Sequence, residues 1–259
     1  MRNQFEKQNF GRKLKSMLRV DFRRAFTMPL VYIMAGISFV MPVLILVMTS
    51  LLGNAEEGAE AAATFTNVWQ AIGSTGGSAT AMDITGMCNI NLLYFLIAIF
   101  VCIFVAEDFR SGYAKNLFTV RSKRIDYCVS KTAAGFVGGV IMVIVYFVGA
   151  MIGGAIAGFS FDTAGFGAGG IVACLFSKIF LVAVFAAIAL TLGVVAKQRL
   201  WLSILCSLAA GALLFTMLPM ISPLNSTFLN VIMCFAGGAL FAVGLGAVST
   251  VILRKTNLV

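Results

Sequence analysis

Long apolar stretches separated by short polar segments make up almost the whole chain. Six of these stretches approach or exceed the roughly 20 residues that a helix needs to cross a bilayer. They are 30–52, 90–106, 132–159, 170–196, 201–218 and 228–253. Their apolar residues run continuously rather than alternating with polar ones, which favours helices over the strands of a barrel. The pattern predicts an all-α integral membrane protein with six transmembrane helices.

The polar segment 107–131 has too regular a pattern for a simple connection between two spans. Nine of its 25 residues are charged. Apolar residues recur at spacings of four, four and three, as on one face of an amphipathic helix. That face holds Phe109, Tyr113, Leu117 and Val120, and the polar side holds Asp108, Arg110, Ser111, Lys115 and Asn116. Ser122 offers a helix cap before the chain returns to the membrane. We interpret the segment as a cytoplasmic loop helix to which a partner protein binds.

A second amphipathic element, 12–27, precedes the first apolar stretch. Its basic side is typical of a helix that lies in the membrane interface against anionic lipid headgroups. The apolar face consists of Leu14, Met17, Leu18, Phe22, Ala25 and Phe26. Asp21 falls within that face, where a carboxylate needs a basic partner. A base of the 107–131 segment and a local base, Arg24 or Lys15, are equally good candidates. Pro29 is expected to end the helix and begin the first span.

Charge is distributed very unevenly along the chain. Eighteen of the 19 Lys and Arg residues lie in the N-terminal segment, in 107–131, at Lys197 and Arg199, or at Arg254 and Lys255. The opposite connections carry only acids: Glu56, Glu57, Glu60, Asp83 and Asp162. The positive-inside rule therefore predicts a plasma-membrane protein with both termini in the cytoplasm. Topology also accounts for the net charge of +9, and no aromatic-plus-basic module points to nucleic acid.

Recognisable catalytic chemistry is missing from the sequence. There is no histidine, and the six cysteines are scattered without a CxxC pair, which argues against a zinc or redox site. No glycine-rich phosphate loop is present. The sequence pattern buries no acidic residue within a span, so an ion relay has little support. A protein with a structured loop and no such chemistry is expected to be the membrane part of a machine powered by another subunit.

Lys178 is the only basic residue inside an apolar stretch. One interpretation is that its side chain snorkels to the outer membrane surface. The other is that its ammonium lines a polar translocation path or pairs with an acidic neighbour.

Glycines and prolines mark two further features. Gly135/Gly139, Gly149/Gly153 and Gly154/Gly158 have the spacing that lets helix backbones approach closely, and packing within one subunit is favoured over a subunit interface. Between the last two apolar stretches, Pro219 and Pro223 predict a break, with a short re-entrant or capping segment on the outer face. The acidic segment 53–88 is too polar to span, and its first part predicts a short helix.

The chain resembles the permeases of the type-2 ABC exporter family over essentially its whole length. The likeness lies in the basic interfacial helix, the six spans, the loop between the second and third spans, and the broken segment before the last. The family's loop pattern is matched, in order, by Glu107, Asp108, Gly112, Lys115, Leu117, Ser122, Arg124 and Lys131. The sequence departs from it in having Tyr113 where Thr is common, and no Pro in the turn.

The resemblance implies a single permease domain, 1–259, that has no cofactor and is not itself an enzyme. ATP and Mg would bind to two separate ATP-binding subunits, and a second permease copy would complete a homodimer or heterodimer with the substrate path between the copies. The loop would form a coupling helix that transmits movement from the ATPase. Its implied coupling residues are Glu107, Asp108, Arg110, Gly112, Lys115, Leu117, Arg121, Arg124 and Lys131.

A finer similarity is to small peptide exporters and peptide-resistance permeases, such as the phenol-soluble-modulin exporter and bacteriocin-immunity types. It implies export of an amphipathic or hydrophobic substrate, a peptide toxin or antimicrobial peptide before others. Drug-like, lipid-like or ionic substrates are the alternatives for the same machinery. A membrane scaffold or assembly protein would explain the spans but not the loop, and a secondary transporter would need internal repeats and a midplane ion site that are not visible.

Overall fold

The computed structural model describes residues 2–55, 67–73, 89–120, 124–163, 165, 167–215 and 217–255. Within them the chain is almost entirely helical, and a single parallel bridge joins Asn67 to Ser160. Two 3₁₀ turns cover Val68–Ala71 and Ile90–Leu92. The helices are α1 (Arg2–Thr27), α2 (Pro29–Ala55), α3 (Leu93–Arg110), α4 (Tyr113–Val120), α5 (Arg124–Ala157), α6 (Ala168–Ala196), α7 (Leu200–Phe215), α8 (Leu218–Ile221) and α9 (Phe228–Lys255).

Five of the described helices are long and apolar enough to cross a membrane: α2, α3 with its preceding 3₁₀ turn, α5, α6 and α9. The all-α membrane class is thereby supported. The fifth predicted span, 201–218, is not supported in the same way, because α7 is an apolar helix of only 16 residues. At 1.5 Å per residue it reaches about 24 Å, less than a hydrocarbon core of about 30 Å. A six-span topology therefore stays a prediction.

Helix α6 lies at the centre of the bundle and packs against α9, α3, α5 and α7. Helix α5 packs in turn against α2 on its other side. Aromatic rings fill the centre, where Tyr94 on α3 stacks on Phe185 on α6 with 4.6 Å between ring centroids. Much of α2 and α9 faces outward with large apolar side chains, as expected of helices that meet lipid or another apolar surface.

The glycines of α5 pack against helices of the same chain. A Cβ atom on Gly149 would lie 2.5 Å from the carbonyl oxygen of Phe39, and one on Gly153 would lie 2.8 Å from the Cα of Val43. Both contacts are with the backbone of α2. The prediction that this glycine spacing serves close packing within one subunit is confirmed for Gly135/Gly139 and Gly149/Gly153, whereas a Cβ atom on Gly158, which follows α5, would meet nothing within 4 Å.

The predicted break before the last span is confirmed. Helix α7 ends at Phe215, α8 is a single short turn with Pro219 near its start, and α9 begins only at Phe228. Between α8 and α9, Leu224 is fully buried. The backbone carbonyl of Ser222 accepts a 3.8 Å hydrogen bond from the thiol of Cys174 on α6. The segment thus packs back onto the start of α6.

The N-terminal element is one helix, α1, which ends at Thr27, and Pro29 begins α2 as predicted. It packs mainly against α5. Only Met17 and Ala25 of the predicted apolar face are buried, and Asp21 lies fully buried between them. Phe26, assigned to the same face, is exposed. The short helix predicted early in 53–88 falls mostly outside the described residues.

Candidate functional site

The loop between α3 and α5 contains a shorter amphipathic helix than its sequence pattern predicts. Phe109 belongs to the end of α3, where it is buried, and not to the loop helix. The chain turns at Gly112, whose φ of +72° is the left-handed conformation that glycine adopts without strain. Helix α4 then runs Tyr113–Val120. The prediction of one continuous apolar stripe from Phe109 to Val120 is therefore wrong in its first turn.

Helix α4 presents one side to solvent and packs the other against the bundle. Ala114 is buried, and Leu117 and Phe118 are half-buried. The solvent side continues across the turn onto the last residues of α3. We call this exposed set the docking face; it consists of Arg110, Ser111, Lys115, Asn116 and Thr119. Glu107 and Gly112 are half-buried beside it, and Arg121 and the predicted cap Ser122 lie outside the described residues.

The sequence predicts that Asp108 lies on the polar side of the loop. In the structure it is fully buried behind the loop instead. Its Oδ1 accepts a 2.7 Å hydrogen bond from Nη1 of Arg24 on α1. Its Oδ2 lies 2.7 Å from Nζ of Lys131 and accepts a 3.0 Å bond from the hydroxyl of Tyr127. The helical period alone assigned Asp108 to the polar side, because a period cannot show that α1 covers this position.

Lys131 is likewise buried and belongs to a span, because α5 begins at Arg124 and not after the loop. Its ammonium lies 3.1 Å from Oδ1 of Asp21 and 3.6 Å from the ring centroid of Phe104. The hydroxyl of Ser130 donates a 2.5 Å bond to the other oxygen of Asp21. Of the two partners left open for Asp21, the base comes from the 107–131 segment.

Asp21, Arg24, Asp108 and Lys131 form a cluster of two carboxylates and two bases, which we call the charged cluster. Three of its side chains are completely buried, and that of Arg24 is 27% exposed. Buried charges are tolerated only when paired and hydrogen-bonded, and this set is balanced. Burial lowers the pKa of Arg24, but the charge and hydrogen bond of Asp108, together with Tyr113 and Asp21, act in the opposite direction, so that this pKa is raised overall. The cluster joins α1, α3 and α5 at the base of the loop.

Arg24 also contacts the loop helix itself. Its guanidinium carbon lies 4.0 Å from the ring centroid of Tyr113, a cation–π contact. Burial raises the pKa of Tyr113, so its phenol stays protonated at neutral pH.

Sequence reasoning did not assign Arg24, Tyr127 or Ser130 to the site. The available signal was Asp21, whose place in an apolar face required a buried partner.

Arg124 does not belong to the docking face. It is half-buried, and its Nη1 donates a hydrogen bond to the backbone carbonyl of Leu253 near the end of α9. Its guanidinium also lies 5.7 Å from the ring centroid of Phe118 on α4. A cation is favoured at a helix C-terminus, where carbonyl groups lack partners. Arg124 thus links the loop helix to the last helix of the bundle.

Lys178 lies far from the loop and is fully buried inside the bundle. Its Nζ donates a 2.7 Å hydrogen bond to Oδ1 of Asn91, at the start of the chain segment that leads into α3. The snorkelling interpretation is therefore wrong. Pairing with an acid is not observed among the described residues either, because the partner is a neutral amide.

An apolar cavity of about 150 Å³ lies between α6, α9 and the segment that joins α7 to α8. Leu181, Phe185, Leu218, Cys234 and Phe241 are among its walls, and Lys178 is not. Pockets for drug-sized ligands are about 300–1,000 Å³, so this cavity could hold only part of such a ligand.

A model of the family described as ABC-2 family transporter protein matches residues 27–213, which include the loop and the helices on both of its sides. No curated protein and no solved structure matches.

Proposed function

Because this chain belongs to the ABC-2 transporter family and is a membrane permease subunit that works with a separate ATP-binding subunit, we propose that the docking face is where that subunit binds. ATPase activity lies on the partner in this family. The docking face is a set of exposed polar residues on the short helix α4, which has no role in crossing the membrane, and on the turn and helix end just before it. Its opposite side is held against the bundle, so a force on it is passed to the helices behind.

The observation that carries the proposal is the connection between the loop and four other helices. The charged cluster ties the end of α3 to α1 and α5, and Arg24 contacts α4 through Tyr113. Arg124 extends the connection to the end of α9. A displacement of α4 by the ATPase would therefore move α1, α3, α5 and α9 together. In this proposal Asp108, Lys131 and Arg124 transmit movement without touching the ATPase, and Arg110 and Lys115 touch it.

Charge reversal of the docking face tests this assignment. We expect the double variant Arg110→Glu/Lys115→Glu to reduce co-purification of the ATP-binding subunit about tenfold, since placing like charges across an interface costs affinity. The measurement is the ratio of ATPase to permease after purification from membranes. Arg199→Glu is the matched control, because Arg199 is also exposed and precedes a helix on the same predicted membrane side. Undiminished ATPase binding by the double variant would show that the subunit docks elsewhere.

We further propose that two ATP-binding subunits, with ATP and Mg bound to them, drive a pair of permeases, identical or related. The small volume of the cavity in one chain supports a substrate path between two copies. Closing of the ATPase dimer would move the two loops, and the space between the permeases would change its access.

The proposed cargo is an amphipathic or hydrophobic molecule, a peptide toxin or antimicrobial peptide before drug-like, lipid-like or ionic substrates. Support comes from the wall chemistry. The outward side chains of α2 and α9 are overwhelmingly apolar, and they include two methionines and three phenylalanines, which are Met48, Met233, Phe228, Phe235 and Phe241. Methionine adapts to apolar partners of varied shape. The outer connections carry acids and no bases, so a cationic peptide would not be repelled after release.

Transport in proteoliposomes that contain permease and ATPase tests the cargo. We expect ATP-dependent movement of a cationic amphipathic peptide, weaker movement of a hydrophobic dye, and none of sodium. Liposomes with the permease alone serve as the control. ATP-driven sodium flux without any response to amphipathic compounds would overturn the peptide proposal while leaving the permease assignment intact.

Both termini are proposed to lie in the cytoplasm with six spans, α7 and the residues after it forming the fifth. Single cysteines at 57 and 162 in a cysteine-free background are expected to react with an impermeant maleimide from outside intact cells. Cysteines at 115 and 199 should react only after the membrane is opened. Labelling at either of these from outside would rule out the proposed orientation.

A further inference from the structure

A second polar cluster lies at the end of α3 opposite to the loop. It consists of Lys178 on α6 and of Asn89 and Asn91, which precede α3, and all three side chains are fully buried. Seventeen residues separate Asn91 from Asp108, which corresponds to about 26 Å along a helix. The cluster is therefore independent of the charged cluster and of the coupling role proposed for it.

The hydrogen bonds of this cluster leave donors without acceptors. Oδ1 of Asn91 accepts from Nζ of Lys178 at 2.7 Å, and Oδ1 of Asn89 accepts from the backbone N–H of Asn91 at 2.9 Å. Both amide oxygens are thus engaged by donors. The amide nitrogens Nδ2 of Asn89 and Asn91 are buried and have no hydrogen-bond partner among the described residues. Since an ammonium has three N–H groups, Lys178 also has N–H groups beyond the one that Asn91 accepts.

No carboxylate of the described residues offsets this positive charge. The ion pairs of the described chain involve Asp21 and Asp108, at the other end of the bundle. A buried ammonium bonded to one neutral amide is costly in a membrane interior, and unsatisfied amide donors add to the cost. A single negative charge within hydrogen-bond reach of these nitrogens would lower both costs.

We propose that Lys178, Asn89 and Asn91 form a binding site for a small monovalent anion, of which chloride is the simplest. One cation matches one negative charge, whereas a divalent phosphate or sulfate would leave a buried negative charge. Complete burial of all three side chains excludes a bulky anion. The bound ion would hold the start of α3 against α6, next to the hydroxyl of Tyr94, which donates to the Lys178 carbonyl at 2.9 Å.

Thermal unfolding of the purified full-length permease in detergent tests the site. The protein is prepared in sodium gluconate, and chloride, bromide or formate replaces gluconate at constant ionic strength; halide and formate arms distinguish a halide from a carboxylate. We expect a saturable rise in Tm with chloride that reaches about 5 °C at a hundredfold excess over Kd, since a ligand that binds only the folded protein stabilises it. Gluconate and sulfate should have no such effect.

Two variants make the result specific. Lys178→Met should lose the response to chloride. Asn91→Asp places a carboxylate where Asn91 now accepts from Nζ, so this variant should fold, lose the chloride response and unfold at or above the Tm of the parent in gluconate. Lys197→Met, a half-exposed lysine near the other end of α6, should keep the parent response. The proposal is overturned if no small monovalent anion raises Tm, or if Asn91→Asp responds as the parent does.

Discussion

Replacing Lys131 by Met is expected to lower the free energy of unfolding by about 3–5 kcal/mol, the range found when one partner of a buried ion pair is removed. The physical reason is that Asp21 and Asp108 then lie buried with only Arg24 to balance two negative charges. Methionine keeps most of the side-chain volume, so the effect reports charge and not a cavity. Heat stability of the purified permease in detergent measures the loss.

A compensating change shows whether charge balance is the cause. Adding Asp21→Asn to Lys131→Met leaves the Arg24–Asp108 pair as a neutral unit, and most of the lost stability should return. Lys115→Met is the control, because Lys115 is exposed on the docking face and its loss should change stability by less than about 0.5 kcal/mol. A Lys131→Met protein as stable as the parent would mean that the cluster does not hold the helices together.

Gly149→Ala is expected to destabilise the permease by about 1–3 kcal/mol, as overpacking of a close contact does. The added Cβ would lie 2.5 Å from the Phe39 carbonyl oxygen and 3.0 Å from Cγ of Pro42, so α2 and α5 must separate. The neighbour is backbone, which cannot move aside as a flexible side chain can. The measurement is again the loss of folded protein on heating.

Gly36→Ala is the matched control for that change. Gly36 lies in α2, and a Cβ there would meet nothing within 4 Å. Since alanine favours a helix over glycine by up to about 1 kcal/mol, this variant should be neutral or slightly more stable. Equal effects of the two alanines would indicate that helix propensity, and not close packing of α2 on α5, governs these positions.

The sequence predicted the existence of the loop helix better than its contacts. Apolar spacing located α4 to within a turn, because the period of a helix is a local property. It misassigned Phe109, since a period continues through a glycine that breaks the helix. It also misassigned Asp108 to the polar side, because a charged residue is exposed by default unless another element covers it and pairs its charge. That the loop binds an ATPase stays a proposal, because neither the sequence pattern nor the structure of one chain contains the partner.

Lys178 shows the same limit within a span. The rule that a lone lysine snorkels treats each helix as if it were surrounded by lipid. Here α3 and the segment before it cover the side chain and provide an amide at 2.7 Å. Asn91 lies 87 residues away in the chain, and no pattern in the sequence links the two positions.

By itself, the sequence determined the helical membrane class, most of the spans, the break around Pro219 and Pro223, and the place of the loop helix. These features follow from the length, period and composition of single segments, which local physics sets. Only the tertiary structure decided that Asp21 pairs with Lys131, that Asp108 and Lys131 support the loop from behind, and that Arg124 reaches the end of α9. Such pairings depend on which helices pack together, and a buried charge takes its partner from whatever helix lies against it.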